Sequence, residues 1–150
     1  MWALPADACY IQFAMAKPVP PGARAEIEET VAFEHTLAKH HADFPPVYST
    51  PDMIRLMETA CYFALQPFAE ADEITVGTHI NVVHKAAVGV GTKVKAEALM
   101  ESFDGRFYTM RVRAWVENGN GVAIELGSGT VGRAFVSVSK FMERMKARQG

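Results

Sequence analysis

Hydrophobic and polar residues alternate at 25–36, 92–103 and 106–116 with the two-residue period that is typical of half-exposed strands. Residues 74–85 are rich in strand-forming residues, and residues 122–138 are interpreted as a last strand that three glycines loosen. The predicted strands cover residues 25–36, 74–85, 92–103, 106–116 and 122–138. Tight turns are expected at Asp104-Gly105 and at Asn118-Gly119-Asn120-Gly121, where glycine accepts the backbone angles of a hairpin. Such short connections favour antiparallel neighbours.

One long helix is predicted between the first and second strands. Thr50, followed by Pro51 and Asp52, is a good helix start, and the Thr50 hydroxyl is expected to cap free N–H groups. Pro67 is expected to stop the helix at about Gln66. Little polar face remains, so the helix is expected to be surrounded by protein. Its apolar residues are Met53, Ile54, Leu56, Met57, Ala60, Cys61, Phe63, Ala64 and Leu65.

This order of elements resembles the hot-dog fold, an α+β architecture in which a curved antiparallel sheet of about five strands wraps around one long helix. A short basic helix is predicted at the C-terminus. Residues 25–150 are expected to form a single domain, and residues 1–24 a partly disordered extension, with Met15 as a plausible alternative start. Two copies of this fold usually pair their sheets edge to edge, so the resemblance implies a homodimer.

Composition narrows the function classes. The 150 residues are 49% hydrophobic, enough for a substantial core, and the formal net charge is −2, which argues against nucleic acid or an anionic membrane as a partner. The apolar N-terminus lacks a basic start and is interrupted by Pro5 and Asp7, unlike an export signal. Cys9 and Cys61 cannot form a disulfide framework, and a cytoplasmic location is therefore expected.

Glu58 is a carboxylate in the middle of a helix that has almost no polar face. Burying an unpaired carboxylate is costly, so Glu58 is expected to be paired, or held in its neutral form, or both. The alternative is a solvated position on the one wet stripe of the helix. Thr50 lies eight residues earlier, a little over two turns, so both side chains fall near one stripe that a substrate could follow.

His84 ends the second predicted strand and shares a strand face with Val82 and Ile80. A histidine in such a position is often a satisfied residue of the core or its rim. Imidazole also titrates near neutral pH, which makes His84 the chain's best candidate for a general acid or base.

Three segments resemble the fluoroacetyl-CoA thioesterase group of hot-dog enzymes. They are VYSTPDMIRLMETAC at 47–61, GTHINVVHKAA at 77–87 and GSGTVGR at 127–133. The resemblance covers roughly residues 25–141. It implies that Thr50, Glu58 and His84 are the catalytic threonine, glutamate and histidine.

The same resemblance implies supporting positions in the substrate pocket for Gly77 and Arg133. Phe44 matches one aromatic residue of the gate over that pocket, whereas His41 stands where a second aromatic is expected. A polar group in the gate weakens the case for selecting a small fluorinated acyl group by hydrophobic exclusion, so the resemblance is not extended to that selectivity and the acyl group stays open.

The activity implied is hydrolysis of a short or compact acyl-CoA to the free acid and CoA, with no cofactor beyond the CoA of the substrate and no metal. Glu58 is expected either to attack the thioester carbonyl or to activate water, with His84 transferring protons. Thr50 and the N–H groups of the helix start are expected to orient the thioester and hold the oxyanion.

Three alternatives stay open. An enoyl-CoA hydratase of the same fold commonly uses an Asp–His pair in a hydratase loop, and no such motif is present. A non-catalytic acyl-CoA-binding module would keep the cleft without hydrolysis. A metal site could be built from His35, His40 and His41, although their spacing matches no zinc pattern and a solvated loop is the simpler interpretation.

Two further sets of residues are interpreted as structural. The aromatic set is expected to pack in the core or the dimer interface and consists of Tyr62, Phe107 and Trp115. The basic set is expected on solvated strand faces and consists of Lys93, Lys95, Arg111 and Arg113.

Overall fold

The computed structural model describes residues 19–150. Most of the predicted extension, including the alternative start at Met15, therefore lies outside the described residues. The end of that extension packs on the domain, because Val19 is buried in the core and the backbone N–H of Gly22 donates to the carbonyl of Met100.

Within residues 19–150 the chain forms five strands and three α-helices. They are β1 (Arg24–Thr30), α1 (Leu37–His40), α2 (Thr50–Leu65), β2 (Glu73–His84), β3 (Lys93–Phe103), β4 (Tyr108–Glu117), β5 (Ala123–Ser137) and α3 (Val138–Gln149). The strands form one antiparallel sheet in the order β1-β3-β4-β5-β2. The predicted five-stranded α+β fold with one long helix is confirmed.

The first strand is shorter than its alternating pattern predicts. β1 ends at Thr30, and a 3-10 turn follows at Phe33–His35. The Thr36 hydroxyl donates to the carbonyl of Phe33, and the backbone N–H of Ala32 donates to His35 Nδ1. These local bonds turn the chain away from the sheet, an outcome that alternation alone does not distinguish from a longer strand.

Helix α2 packs across one face of the sheet and contacts all five strands. Its sheet-facing residues are fully or almost fully buried: Met53, Leu56, Met57, Ala60, Cys61, Ala64 and Leu65. The opposite side is open in the single chain, where Thr59 and Tyr62 are half-buried and Phe63 is 51% exposed. The expectation of a helix surrounded by protein therefore holds for the sheet side alone.

Ser49, not Thr50, is the residue that caps α2. The Ser49 hydroxyl oxygen accepts the backbone N–H of Asp52, and Thr50 and Pro51 are the first two helical residues. The predicted capping role of Thr50 is wrong, because its hydroxyl bonds a side chain of another element. The capping bond leaves Thr50 Oγ1 available for that contact.

Replacing Ser49 with alanine should reduce the free energy of unfolding by about 1 kcal/mol, because an N-cap bond is lost. Replacing Thr50 with alanine should change this free energy by less than half as much. Urea unfolding followed by circular dichroism measures both. Equal losses for the two variants would show that Thr50 contributes to the cap after all.

Strand β2 lies at an edge of the sheet and pairs with β5 along its length. The register shifts between Gly77 and His79, which marks a bulge in the strand. Beyond the bulge the burial follows the predicted faces at Val82 and His84, which are half-buried, and at Val83, which is 60% exposed, but not at Ile80, which is 44% exposed. Among residues 19–150, no helix has the length and hydrophobicity needed to cross a membrane.

Candidate active site

The start of α2 and the end of β2 lie together because the segments next to them are joined. Val47 forms a β-bridge with Gly89, and the backbone N–H of Tyr48 donates to the carbonyl of Val88 at 2.8 Å. This crossing places Thr50 Oγ1 2.8 Å from Nδ1 of His84. Two residues that are 34 positions apart in the chain thus form a direct hydrogen bond.

The other ring nitrogen of His84 defines the direction of this bond. Nε2 lies 2.9 Å from the carbonyl oxygen of Ala86. A carbonyl oxygen can accept and cannot donate, so Nε2 carries the hydrogen. In the neutral ring Nδ1 then carries a lone pair and accepts the Thr50 hydroxyl. A hydroxyl that donates to a base, when a third group holds the base in place, is the arrangement of an activated nucleophile.

Glu58 forms a second pair with Arg133 of β5. Arg133 Nη1 donates to Glu58 Oε2 at 3.1 Å, with the Arg133 side chain 6% exposed and the Glu58 side chain 32% exposed. The expectation that Glu58 is paired is confirmed. A hydrogen bond from a guanidinium to a carboxylate is stronger than one between neutral groups, so Arg133 holds Glu58 in place.

Burial affects the pKa of Arg133 and that of the neighbouring thiol of Cys61. Burial lowers the pKa of the Arg133 guanidinium, while Cys61 and Glu58 act in the opposite direction. The guanidinium stays charged, because arginine is not deprotonated in proteins. Burial also raises the pKa of the Cys61 thiol to about 12. At neutral pH Cys61 is therefore a packed thiol without nucleophilic character.

Gly77 lies directly over the Glu58–Arg133 pair. A Cβ atom built on Gly77 would be 2.7 Å from Glu58 Oε2 and 3.3 Å from Arg133 Nη1. Real Cβ atoms do not approach an oxygen this closely, so glycine is required for the observed position of the carboxylate.

We expect Gly77→Ala to lower kcat of the hydrolysis proposed below by at least tenfold, because the added methyl group displaces the Glu58 carboxylate. Gly89→Ala is the matched control, since a Cβ there meets its nearest neighbour at 4.0 Å. Steady-state kinetics of the two variants gives the comparison. An unchanged kcat in Gly77→Ala would mean that the position of Glu58 is unimportant for the reaction.

A cleft of about 650 Å³ runs along the open side of α2. It is lined by Pro51, Ile54, Arg55, Glu58, Thr59, Tyr62 and Arg133. Glu58 and Arg133 lie within it, whereas Thr50 adjoins it at Pro51. Eight helical residues separate Thr50 from Glu58, a rise of about 12 Å. The structure thus brings together two of the predicted catalytic residues, Thr50 and His84, whereas Glu58 pairs with Arg133 further along the helix. No direct bond joins these two pairs in residues 19–150.

Arg55 belongs to a network of polar side chains on the same side of the helix. Its Nη2 bonds both carboxylate oxygens of Glu29 at 2.7 Å, and Nε lies 3.4 Å from Asp52. The buried Tyr48 hydroxyl also donates to Glu29. Two carboxylates therefore compensate the positive charge of Arg55 at the cleft.

Phe44 is not among the residues that line this cleft. It is half exposed and stacks on His41, with ring centroids 4.6 Å apart. The predicted gate residue and the histidine beside it thus form one exposed pair in the single chain. Across residues 19–150, no group of three or more His, Cys, Asp or Glu side chains is arranged to hold a metal ion.

The residues interpreted as structural do not gather at the site as a group. Tyr62 lines the cleft, Trp115 is buried beneath the Arg113 guanidinium, and Phe107 packs against His79. The four basic strand residues each face a carboxylate, in the pairs Lys93–Glu28, Lys95–Glu117, Arg111–Glu101 and Arg113–Glu97.

Two contributors to the site have no clear signal in the sequence. The Ala86 carbonyl is a backbone atom, and no residue type marks its role. Thr75 holds Arg133. The sequence gives one hint of this role: Thr75 stands two residues before Gly77, on the same face of the strand.

Comparison with known proteins shows similarity over most of the chain. Residues 31–139 match the family described as fluoroacetyl-CoA-specific thioesterase. The fluoroacetyl-CoA thioesterase of Streptantibioticus cattleyicolor is 36% identical over 130 residues, which cover 87% of this chain and 86% of that protein.

Solved structures agree with this similarity. A phenylalanine-to-alanine variant of the fluoroacetyl-CoA-specific thioesterase, in complex with fluoroacetate and CoA, has a TM-score of 0.69 at 34% identity and covers 82% of this chain and 99% of its own. A thioesterase superfamily member from Thermus thermophilus has a TM-score of 0.77 at 27% identity, over 89% of this chain and 98% of its own.

Proposed function

Because the chain belongs to the fluoroacetyl-CoA-specific thioesterase family and is thus a thioester hydrolase, we propose that Thr50, His84 and Glu58 hydrolyse a short or compact acyl-CoA in the cleft along α2. The observation that supports this assignment best is the bond from the Thr50 hydroxyl to His84 Nδ1, with Nε2 held by Ala86. On this basis we propose Thr50 as the nucleophile, in place of the oxyanion contact expected from the sequence.

In the first step, Thr50 Oγ1 attacks the thioester carbonyl carbon while His84 Nδ1 takes the hydroxyl proton. The tetrahedral intermediate then expels the CoA thiolate, which receives that proton from His84 as the C–S bond breaks. The product is an acyl ester on Thr50. At the start of α2 the N–H groups of Asp52 and Met53 are bonded to Ser49 and Pro51 has none, so the backbone N–H of Thr50 is the group that we assign to the oxyanion.

In the second step, water attacks the ester carbonyl and releases the acid and the Thr50 hydroxyl. Glu58 lines the cleft, and we assign it the activation of this water, which has to lie between the Glu58 carboxylate and the ester because the Cα atoms of Thr50 and Glu58 are about 12 Å apart along the helix. Direct attack by Glu58 on the thioester, or direct activation of water in a single step, is the alternative. Neither route requires a cofactor, because CoA enters as part of the substrate.

Single-turnover trapping distinguishes these routes. Acid quenching followed by peptide mass spectrometry should detect an acyl group on the peptide that carries Thr50. An acyl group on Glu58, or the incorporation of heavy oxygen from labelled water into Glu58, would instead support the direct attack.

We propose short or compact acyl groups because the relative from Streptantibioticus cattleyicolor is named for a two-carbon acyl-CoA, fluoroacetyl-CoA. We do not extend fluoroacetyl selectivity to this chain, since His41 stands where the resemblance implies a second gate aromatic, and the His41–Phe44 stack is exposed and does not line the cleft. The test is release of free thiol from acetyl-, fluoroacetyl-, propionyl-, hexanoyl- and palmitoyl-CoA. Faster hydrolysis of palmitoyl-CoA than of acetyl-CoA would overturn the proposed substrate class, and tight binding without thiol release would favour a binding module.

We also propose a homodimer. Strand β2 is a twelve-residue edge strand with exposed Ile80 and Val83, and a second copy can satisfy its free edge. Light scattering should give twice the chain mass of 16.5 kDa. A cytoplasmic location is proposed as well, supported by the acyl-CoA substrate and by the unpaired, buried Cys61.

A further inference from the structure

Arg133 is almost completely buried, and most of its hydrogen bonds go to Thr75. Nη2 donates to the Thr75 carbonyl at 2.7 Å and to Thr75 Oγ1 at 3.0 Å, and Nε donates to the same Oγ1 at 3.3 Å. Thr75 itself is 3% exposed. A buried cation is thus held from one side by a single neutral residue.

These bonds restrict where the rest of the guanidinium can point. The group is planar and rigid, so fixing Nε and Nη2 also fixes the direction of Nη1. Nη1 is the atom that donates to Glu58 Oε2 at 3.1 Å. The position of the Glu58 carboxylate therefore depends on Thr75 through Arg133.

The second oxygen of Glu58 stays available for chemistry. Oε2 lies between Arg133 and Gly77, where the missing side chain of the glycine makes room for it. Among residues 19–150, no side chain or backbone group bonds Oε1 of Glu58. Because Glu58 lines the cleft, Oε1 is the oxygen that can approach a water or an acyl carbon there.

We propose that Thr75 is a positioning residue of the hydrolysis. It holds Arg133 so that Glu58 presents Oε1 to the cleft, and it does not contact the substrate. This inference rests on the role of Glu58 assigned above. It also gives Arg133 a different task from the substrate binding that the sequence resemblance implies, because the guanidinium is committed to Thr75 and Glu58.

Thr75→Val removes the hydroxyl and keeps the shape of the side chain. We expect kcat for acetyl-CoA to fall about tenfold or more, since a small displacement of a catalytic group has a large effect on rate. KM should stay within about twofold, because Thr75 does not touch the substrate. Thr75→Ser, which keeps the acceptor oxygen, should restore most of kcat. If the valine variant does not fold, Thr75→Ala serves in its place.

A double-mutant cycle with Glu58→Gln separates positioning from a general structural effect. If Thr75 acts through Glu58, Thr75→Val should lower kcat little further once Glu58→Gln is present. If Thr75→Val lowered kcat by the same factor with and without Glu58→Gln, the inference would be overturned. Full activity of Thr75→Val, together with impaired activity of Glu58→Gln, would also overturn it. Full activity of Glu58→Gln would overturn both the assigned role of Glu58 and the positioning by Thr75.

Discussion

Replacing His84 with alanine is expected to lower kcat/KM for acyl-CoA hydrolysis by about 10²–10⁴-fold, the usual contribution of a positioned general base. Thr50→Ala should cause a loss of similar size, because the hydroxyl and the imidazole act as one unit. The Thr50→Ala/His84→Ala double variant should be hardly slower than either single variant, since groups that act as a unit are strongly non-additive. Thiol release under steady-state conditions measures all three.

Thr50→Ser is the matched control for this prediction. Serine keeps a hydroxyl at the same place, 2.8 Å from His84 Nδ1 in the native arrangement, and should retain far more activity than alanine. The assignment of Thr50 as nucleophile would be wrong if Thr50→Ala and Thr50→Ser were equally active. If the kcat/KM of the double variant fell by the product of the two single-variant factors, Thr50 and His84 would act independently.

Replacing Glu58 with alanine is expected to reduce both activity and stability. The substitution leaves the Arg133 cation buried without its carboxylate, which costs about 1–3 kcal/mol of unfolding free energy. This loss of unfolding free energy is smaller than the largest losses for broken buried ion pairs. The Glu58 side chain is 32% exposed, so water can replace it beside Arg133. The activity should fall by at least 10²-fold if Glu58 activates water. Urea unfolding and thiol release measure the two effects.

His84→Ala should behave differently in the same unfolding experiment, with a much smaller loss of stability for a comparable loss of activity. Glu34→Ala, on the exposed turn after β1, is a control for removing a surface carboxylate and should change neither quantity. A Glu58→Ala protein as stable as the wild type would indicate that Arg133 finds compensation elsewhere. A fully active one would remove Glu58 from the mechanism.

Much of the fold follows from local patterns. β3 and β4 alternate cleanly between buried and exposed residues, and their predicted spans agree with the structure to within two residues at each end. The turn signals Asp104-Gly105 and Asn118-Gly119 lie between strands as expected. β1 is the exception, because the bonds around Ala32 and Thr36 that end it are formed by residues whose alternation still fits a strand.

The candidate site is predictable to a smaller extent. Helical spacing correctly places Thr50 and Glu58 along one side of α2, but it does not reveal that Ser49 takes over the cap. The partner of Glu58 comes from β5, and the bulge after Gly77 alters which residues of β2 share a face. Neither can be derived from periodicity, since both depend on contacts between distant parts of the chain.

The resemblance to a known family pointed to Thr50, Glu58 and His84 as candidates, and the local patterns by themselves determined the order of the elements and the helix along which the polar residues lie. Those features depend on interactions within a few residues, such as strand alternation, turn chemistry and helix spacing. The tertiary structure alone decided that Thr50 bonds His84 and that Arg133, held by Thr75, bonds Glu58. The reason is physical: these bonds join side chains 34 to 75 residues apart, and their partners meet after the helix packs on the sheet.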